Sequence, residues 1–333
     1  MKIGVIGAGA WGTTLADLLA KKGHAVTLWA YEADLVERMR QNRKNDLYLS
    51  GFTLDDKLDF THDVAEVTSG KELLVLVAPS QVMRHVVRQA EPHIAPGTIL
   101  VSAAKGIEND SLLPMSEVLR EILPAEKFRC LAFLSGPTFA REVAAEMPTA
   151  VTVAAADEAV ARQVQELFSC HYFRVYRSGD VIGVELGGAL KNVIAVAAGI
   201  CDGLGYGYNA RAALISRGLV EMTRIGVAMG AQEKTFHGLS GMGDLVLTCT
   251  GDLSRNRTVG LELGRGRKLE DVLSGMRVVA EGLKTALSAY QLAAKLGVET
   301  PIINEMYRIL YEAKPPRSAV LDLMNRQLKA EQD

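Results

Sequence analysis

The chain has 333 residues with 37 Lys and Arg against 39 Asp and Glu, and a net charge of -2 offers no global attraction to nucleic acid or an anionic membrane. With 48% hydrophobic and 23% charged residues it has the composition of a folded globular protein, and its length exceeds one ordinary core. Two domains with a cleft between them are therefore expected, and any anionic ligand must be met by local positive groups.

Cys130, Cys170, Cys201 and Cys249 lie far apart with no CxxC, which argues against a zinc knuckle or a disulfide framework and fits reduced thiols in a cytoplasmic protein. The six histidines show no HxxH or HExxH spacing, so no metal is expected. KIGVIGAG runs straight into a strand without a basic leader, so no signal peptide is expected. The longest apolar run, Val193 to Ile200, is too short to cross a bilayer, and stable membrane insertion is not expected.

Taken in chain order, KIGVIG, AVTLWA, ELLVLVAP, TILVSAAKG and CLAFLSGP read as strands. They alternate with helical patterns such as TTLADLLAKKG, QVMRHVVRQAEPHI and PMSEVLREIL, as in a parallel sheet built from βαβ units. TAVTVAAA and YFRVYR bracket a further helix and could extend the sheet. Beyond Gly179 long Ala-, Leu- and Gly-bearing helices take over. The fold class is thus α/β, with a Rossmann-type doubly wound sheet over 1–179 and an all-α domain over 180–333. Within the second part, FHGLSGMGDLVLTCTGDLSRNR reads as a long glycine-rich functional loop.

Gly7, Gly9 and Gly12 form a GxGxxG directly after the first strand and before a helix. Gly7 suits a tight turn, Gly9 a close backbone approach to a pyrophosphate, and Gly12 helix-on-strand packing, with Ala10 and Trp11 between them. Glu32 follows Gly12 by twenty residues, where an acid can bind a ribose 2′-hydroxyl. A 2′-phosphate would want arginine nearby, and the nearest is Arg38, so NAD(H) is favoured over NADP(H). Alternatively Tyr31 stacks on adenine while Glu32 points to solvent.

In ELGGALKNVIAVAAGI the neighbours of Lys191 on one helix face are Gly187, Gly188, Ile194 and Ala195, which read as a vacancy around a desolvated ammonium. A lowered pKa would make Lys191 a general base; snorkelling of its stem to water is the other reading. Asn192 beside it could position a ligand or cap packing at the domain junction. Asp244, among glycines, could hold a substrate hydroxyl, orient the lysine, or simply form a turn. Ser254 begins a helix with Arg255, Asn256 and Arg257 in its first turn, a place for phosphate or carboxylate or else an exposed basic helix start. Lys105, Gly136 and Thr138 follow predicted strand ends, where open α/β sheets bind ligands, although ordinary turns would look the same.

GAGAWGTTLA, YLSG, APSQ, SAAKGIE, LSGPTFARE, LKNVIAVAAGICDGLG, GLSGMGDLVLTCTGDLSRNR and VVAEG, in this order, resemble the bacterial NAD(P)-dependent glycerol-3-phosphate dehydrogenases from Lys2 to about Ala319. The resemblance implies a helical second domain like that of 6-phosphogluconate dehydrogenase. It also implies interconversion of sn-glycerol 3-phosphate and dihydroxyacetone phosphate to supply phospholipid backbones. It makes Lys191 the proton acceptor and puts Lys105, Gly136, Thr138, Asp244, Ser254, Arg255 and Asn256 against substrate. Trp11, Tyr31, Lys105, Ala140, Arg255, Val279 and Glu281 fall to the dinucleotide beside Gly7, Gly9 and Gly12. Ala10 stands where many relatives have serine, and Tyr31 where they have arginine or histidine, which also favours NAD over NADP. Two rival functions share part of the pattern: a dehydrogenase of a hydroxy acid or sugar phosphate, and a nucleotide-sensing protein. Exposed apolar helix faces in the second domain could serve a homodimer.

Overall fold

The computed structural model describes residues 1–276 and 280–331. Its eight strands are β1 Lys2–Ile6, β2 Ala25–Trp29, β3 Leu58–Thr61, β4 Leu73–Leu76, β5 Ile99–Ser102, β6 Leu131–Ser135, β7 Thr149–Ala155 and β8 Phe173–Ser178. They form one sheet in the order β3-β2-β1-β4-β5-β6-β7-β8, parallel throughout except for the antiparallel β6–β7 pair. All five predicted strands are present, and β7 and β8 do extend the sheet. β3 was not expected: LDFT is a four-residue edge strand in which Asp59 is exposed between buried neighbours, too short for a periodic signal.

Both faces of the sheet are covered, and the period of two sorts the strand residues between two cores. Ile3, Val5, Leu73 and Val75 join one core, while Ile6, Leu74, Leu76 and Phe133 join the other. The chain order reverses at β1, whose neighbours are β2 and β4, so a crevice opens beyond their carboxyl ends. Gly7 leaves β1 at φ +122°, and a Cβ there would come within 2.9 Å of backbone just past β4.

No strand follows Ser178 among the described residues, and the helix Val181–Gly203 begins at once. Asp180 caps it, accepting from the Gly183 amide at 2.9 Å. Every residue from Gly183 to Cys201 is buried, because a helix apolar all round needs cover on every side. Cover comes from the helices Tyr208–Ala228, Asp244–Thr250, Arg255–Gly264 and Glu281–Leu296. By length and composition Val181–Gly203 would suffice to cross a membrane, contrary to the length expectation, but 89% of its most apolar window is buried inside the protein. Gly199 and Gly203 face Gly260 and Gly264, and a Cβ on Gly199 or Gly260 would fall 2.0 Å from the opposing carbonyl. These two helices therefore touch backbone to backbone.

The segment expected to be a glycine-rich loop is instead helical. Leu239–Gly243 makes one π-helical turn that runs into the helix Asp244–Thr250. Its glycines serve packing: a Cβ on Gly241 would sit 2.1 Å from the Phe236 carbonyl. All four cysteines are free thiols.

Candidate functional site

The first helix, Ala10–Lys21, starts at the crevice with Gly9 as N-cap and no side chain to satisfy its first amides. Those amides are left for an anion. A Cβ on Gly9 would meet nothing within 4 Å, whereas one on Gly12 would lie 1.9 Å from the Gly7 carbonyl. Gly9 thus faces open space and Gly12 faces the strand, so the residues present fit a bound dinucleotide. Ala10 and Trp11 open the helix, and the Trp11 indole N–H is buried without a partner. Tyr31 is 83% exposed just past β2, free to stack on a planar ligand. Glu32 does not simply face solvent: its Oε1 accepts from the Tyr48 hydroxyl at 2.6 Å. Val279 lies outside the described residues. Ala140 begins a short helix next to the first one, its carbonyl accepting from Thr14 Oγ1 at 3.2 Å.

Lys191, Lys105 and Asp244, far apart in sequence, meet in one cluster. Lys191 Nζ donates to Asp244 Oδ1 at 2.6 Å and to Thr248 Oγ1 at 2.7 Å. Lys105 Nζ, beyond β5, donates to Asp244 Oδ2 at 2.8 Å, to the Gly136 carbonyl at 2.9 Å and to Thr138 Oγ1 at 3.3 Å. Asp244 is fully buried and Lys191 only 6% exposed, so one carboxylate holds two ammonium groups away from water. Burial pulls Lys191 from its ordinary value down to about 8, with help from the Lys105 charge and against the pull of Asp244. The expected fall is present, but the ammonium is paired rather than isolated.

The expected vacancy beside Lys191 is filled. A Cβ on Gly187 would lie 2.5 Å from the Ser240 carbonyl, and one on Gly188 would lie 2.5 Å from Ser135 Oγ and 3.5 Å from Lys105 Cγ. These glycines let the π-helical turn and the Lys105 stem approach the helix, which carries Asp244 and Lys105 to Lys191. Thr248 escaped the sequence reading. It stands four residues after Asp244, on the same helix face, a relation that shows only once DLVLTCT is taken as a helix.

Ser254 is the N-cap of the helix Arg255–Gly264, its Oγ accepting from the Arg257 amide at 3.2 Å. Arg255 is exposed and has no ion pair within contact distance among the described residues. Its charge acts through space on Glu281, as do those of Lys105 and Lys191. Burial raises the Glu281 carboxyl, and the three cations only partly oppose this. Asn192 Oδ1 accepts from Asn256 Nδ2 at 2.8 Å, and Asn256 Oδ1 accepts from the Gly282 amide at 2.9 Å. A Cβ on Gly282 would intrude to 2.6 Å from the Asn192 carbonyl. Asn192 therefore belongs to the junction of three helices and fixes Asn256 there.

The family model for the N-terminus of NAD-dependent glycerol-3-phosphate dehydrogenase matches residues 2–161, and that for its C-terminus matches residues 180–321. The chain is 77% identical to the glycerol-3-phosphate dehydrogenase [NAD(P)+] of Syntrophotalea carbinolica over the whole of both chains. It is 64% identical to that of Geobacter sulfurreducens, over 99% of this chain and 98% of the relative. The crystal structure of glycerol-3-phosphate dehydrogenase from Coxiella burnetii superposes with a TM-score of 0.93 at 39% identity, covering 98% of this chain and 99% of that one. The chain belongs to the NAD-dependent glycerol-3-phosphate dehydrogenase family.

Proposed function

We propose that the protein interconverts sn-glycerol 3-phosphate and dihydroxyacetone phosphate with NAD(H) or NADP(H), feeding glycerophospholipid synthesis, with Lys191 as the acid and base. The observation that carries this reading is the buried carboxylate of Asp244 holding Lys191 and Lys105 together beyond the strand ends. Residues 1–179 bind the dinucleotide, and 180–333 supply the helix-borne chemistry.

Bound against Gly7, Gly9 and Gly12, the nicotinamide cofactor supplies or takes up the hydride of the reaction. As a neutral amine Lys191 has two N–H groups, and Asp244 and Thr248 accept both. Its lone pair is left to take the substrate hydroxyl proton. As an ammonium it carries a third N–H in that same direction, which donates to the carbonyl oxygen in the reducing direction. The Thr248 hydroxyl donates to the Asp244 carbonyl at 2.6 Å, so its own lone pair faces the lysine. Lys105 is already satisfied by three acceptors, and the longest of these contacts, to Thr138, is the one a substrate oxygen would replace. Arg255, Asn256 and the Ser254 hydroxyl hold the phosphate at the helix start, and that remote grip aligns the reacting carbon.

Glu32, kept in place by Tyr48, favours a ribose with a free 2′-hydroxyl and hence NADH, since a 2′-phosphate would meet a carboxylate. The arginine nearest in sequence, Arg38, is engaged by Asp46 at 3.1 Å and by Asp34. A cytoplasmic location and a homodimer formed through the helical domain complete the reading. Following NADH loss with dihydroxyacetone phosphate, and repeating with NADPH, tests the reaction and the cofactor preference. Lys191→Met is expected to lose ~10²–10⁴-fold in turnover, the usual range for a general acid, with NADH affinity by fluorescence titration unchanged. Near-native turnover in that variant would remove Lys191 from the role.

A further inference from the structure

One largely shielded carboxylate outside the Lys191–Asp244–Lys105 cluster meets the start of the helix Arg255–Gly264. Asp202, at the end of the Lys191 helix, accepts from Arg257 Nε at 2.9 Å and lies 2.8 Å from Arg257 Nη2. The same oxygen accepts from Arg211 Nη1 at 3.0 Å. Their side chains are 13%, 15% and 18% exposed, so the triad is largely shielded. Arg257 also reaches Asp252 at 2.9 Å, and its backbone amide donates to Ser254 Oγ. Arg257 is thereby clamped from both ends of the Ser254–Arg257 turn.

We propose that Asp202 is a positioning residue: by gripping Arg257 and Arg211 it fixes the turn bearing Ser254, Arg255 and Asn256 relative to Lys191. Two cations sit in the first turn of the helix Arg255–Gly264, at its positive end, where they repel each other and the dipole. Asp202 draws one of them, Arg257, back against the Lys191 helix. Arg255 then remains as the cation presented to an incoming anion. The Arg257 carbonyl also faces Gly199, where the two helices touch backbone to backbone, so the backbone and the side chain of Arg257 both bear on the Lys191 helix. Nε and Nη2 of one rigid guanidinium plane meeting the same carboxylate oxygen also set orientation, which a point charge would not.

The inference rests on the reading of the Ser254–Asn256 turn as the phosphate holder, and its test separates the two. In Asp202→Asn, kcat/KM for dihydroxyacetone phosphate is expected to fall about 10-fold through KM, corresponding to ~1.4 kcal/mol. Activity with dihydroxyacetone, which lacks the phosphate, and the KM for NADH should stay within about twofold. Parallel losses on both substrates, or no loss on either, overturn the proposal. If Asp202→Asn does not fold, Arg257→Lys, which keeps charge but not the two-nitrogen grip, should give the same split, and parallel losses there overturn it equally. Arg255→Ala is run beside them. If it leaves the preference for the phosphorylated substrate intact, the phosphate reading falls and this inference with it. If it lowers the preference while Asp202→Asn does not, the inference alone falls.

Discussion

Asp244→Asn offers a decisive perturbation, because it removes one charge from a cluster of three while nearly preserving shape. The native carboxylate gives one oxygen to Lys191 at 2.6 Å and the other to Lys105 at 2.8 Å. An amide puts an oxygen at only one of these two positions and turns an NH2 donor toward the lysine at the other, and it brings no charge. In the native protein Lys191 titrates at about 8, lowered by burial and by Lys105 but sustained by Asp244. Without that support the ammonium keeps both penalties and loses its counterion, so its pKa must fall further. Breaking a buried pair by neutralising one member typically costs ~3–5 kcal/mol, and each pH unit corresponds to about 1.4 kcal/mol. A displacement of more than about one unit is therefore expected even if relaxation absorbs half of the cost. With Lys191 as the proposed acid, reduction of dihydroxyacetone phosphate draws on the protonated lysine, so native kcat/KM should decline as pH rises through about 8. In Asp244→Asn the same decline should occur at least about one unit lower, and the ratio of activity at pH 6 to that at pH 8 should rise from about 2 to about 10 or more, roughly fivefold over native. Glycerol 3-phosphate oxidation, which needs the neutral amine, should show the mirror image, its rising limb moving to lower pH. A limb that stays near 8, or moves to higher pH, would refute the assignment of that titration to Lys191 paired with Asp244.

Glu185→Gln tests a second buried group. Glu185 Oε1 accepts from the Ser116 amide at 2.9 Å at the start of the helix Met115–Ile122, linking the Lys191 helix to the sheet domain. Burial raises this carboxyl to about 8, above its unfolded value, so its contribution to stability is full below about 4.5 and is lost as pH rises through about 8. Glu185→Gln should therefore match native thermal stability near pH 5 and exceed it near pH 9, by up to a few kcal/mol; equal melting temperatures at both pH values would contradict a raised pKa. Gly12→Ala should abolish NADH binding or prevent folding, since its Cβ would fall 1.9 Å from the Gly7 carbonyl, and fluorescence titration of a soluble variant with native NADH affinity would disprove the packing role.

Most of the sheet could be read from its sequence because each buried strand is a run of apolar residues between helical patterns, and parallel strands covered on both faces need little else. β3 departs from this rule, since at the edge of the sheet it alternates an exposed Asp59 with buried neighbours over four residues. The antiparallel sense of β7 left no local trace either. Direction in a sheet is set by how the chain returns after β6, not by the composition of the strand. The glycine-rich His237–Arg257 segment misled for a physical reason. Glycine is enriched both where a backbone bends and where two backbones touch, and here Gly187 and Gly241 serve the second purpose.

That distinction also explains what the sequence could and could not say about the site. Lys191 stood out because a lysine and an amide interrupt an otherwise apolar helix, and such an interruption needs partners when the helix is buried on every side. Local spacing could show that small residues surround it, but not what occupies the room they leave. Its partners come from positions 53 residues ahead in sequence for Asp244 and 57 for Thr248, and the Lys105 stem beside Gly188 comes from just past the end of β5. Small residues at Gly187 and Gly188 thus admit the protein's own groups, and those groups tune the lysine before any ligand arrives. The same logic extends to Asn192, whose side-chain oxygen accepts from Asn256, which in turn accepts from the Gly282 amide. A polar residue in an apolar helix marks a junction, and its chemistry is decided by the elements that tertiary structure brings to that junction.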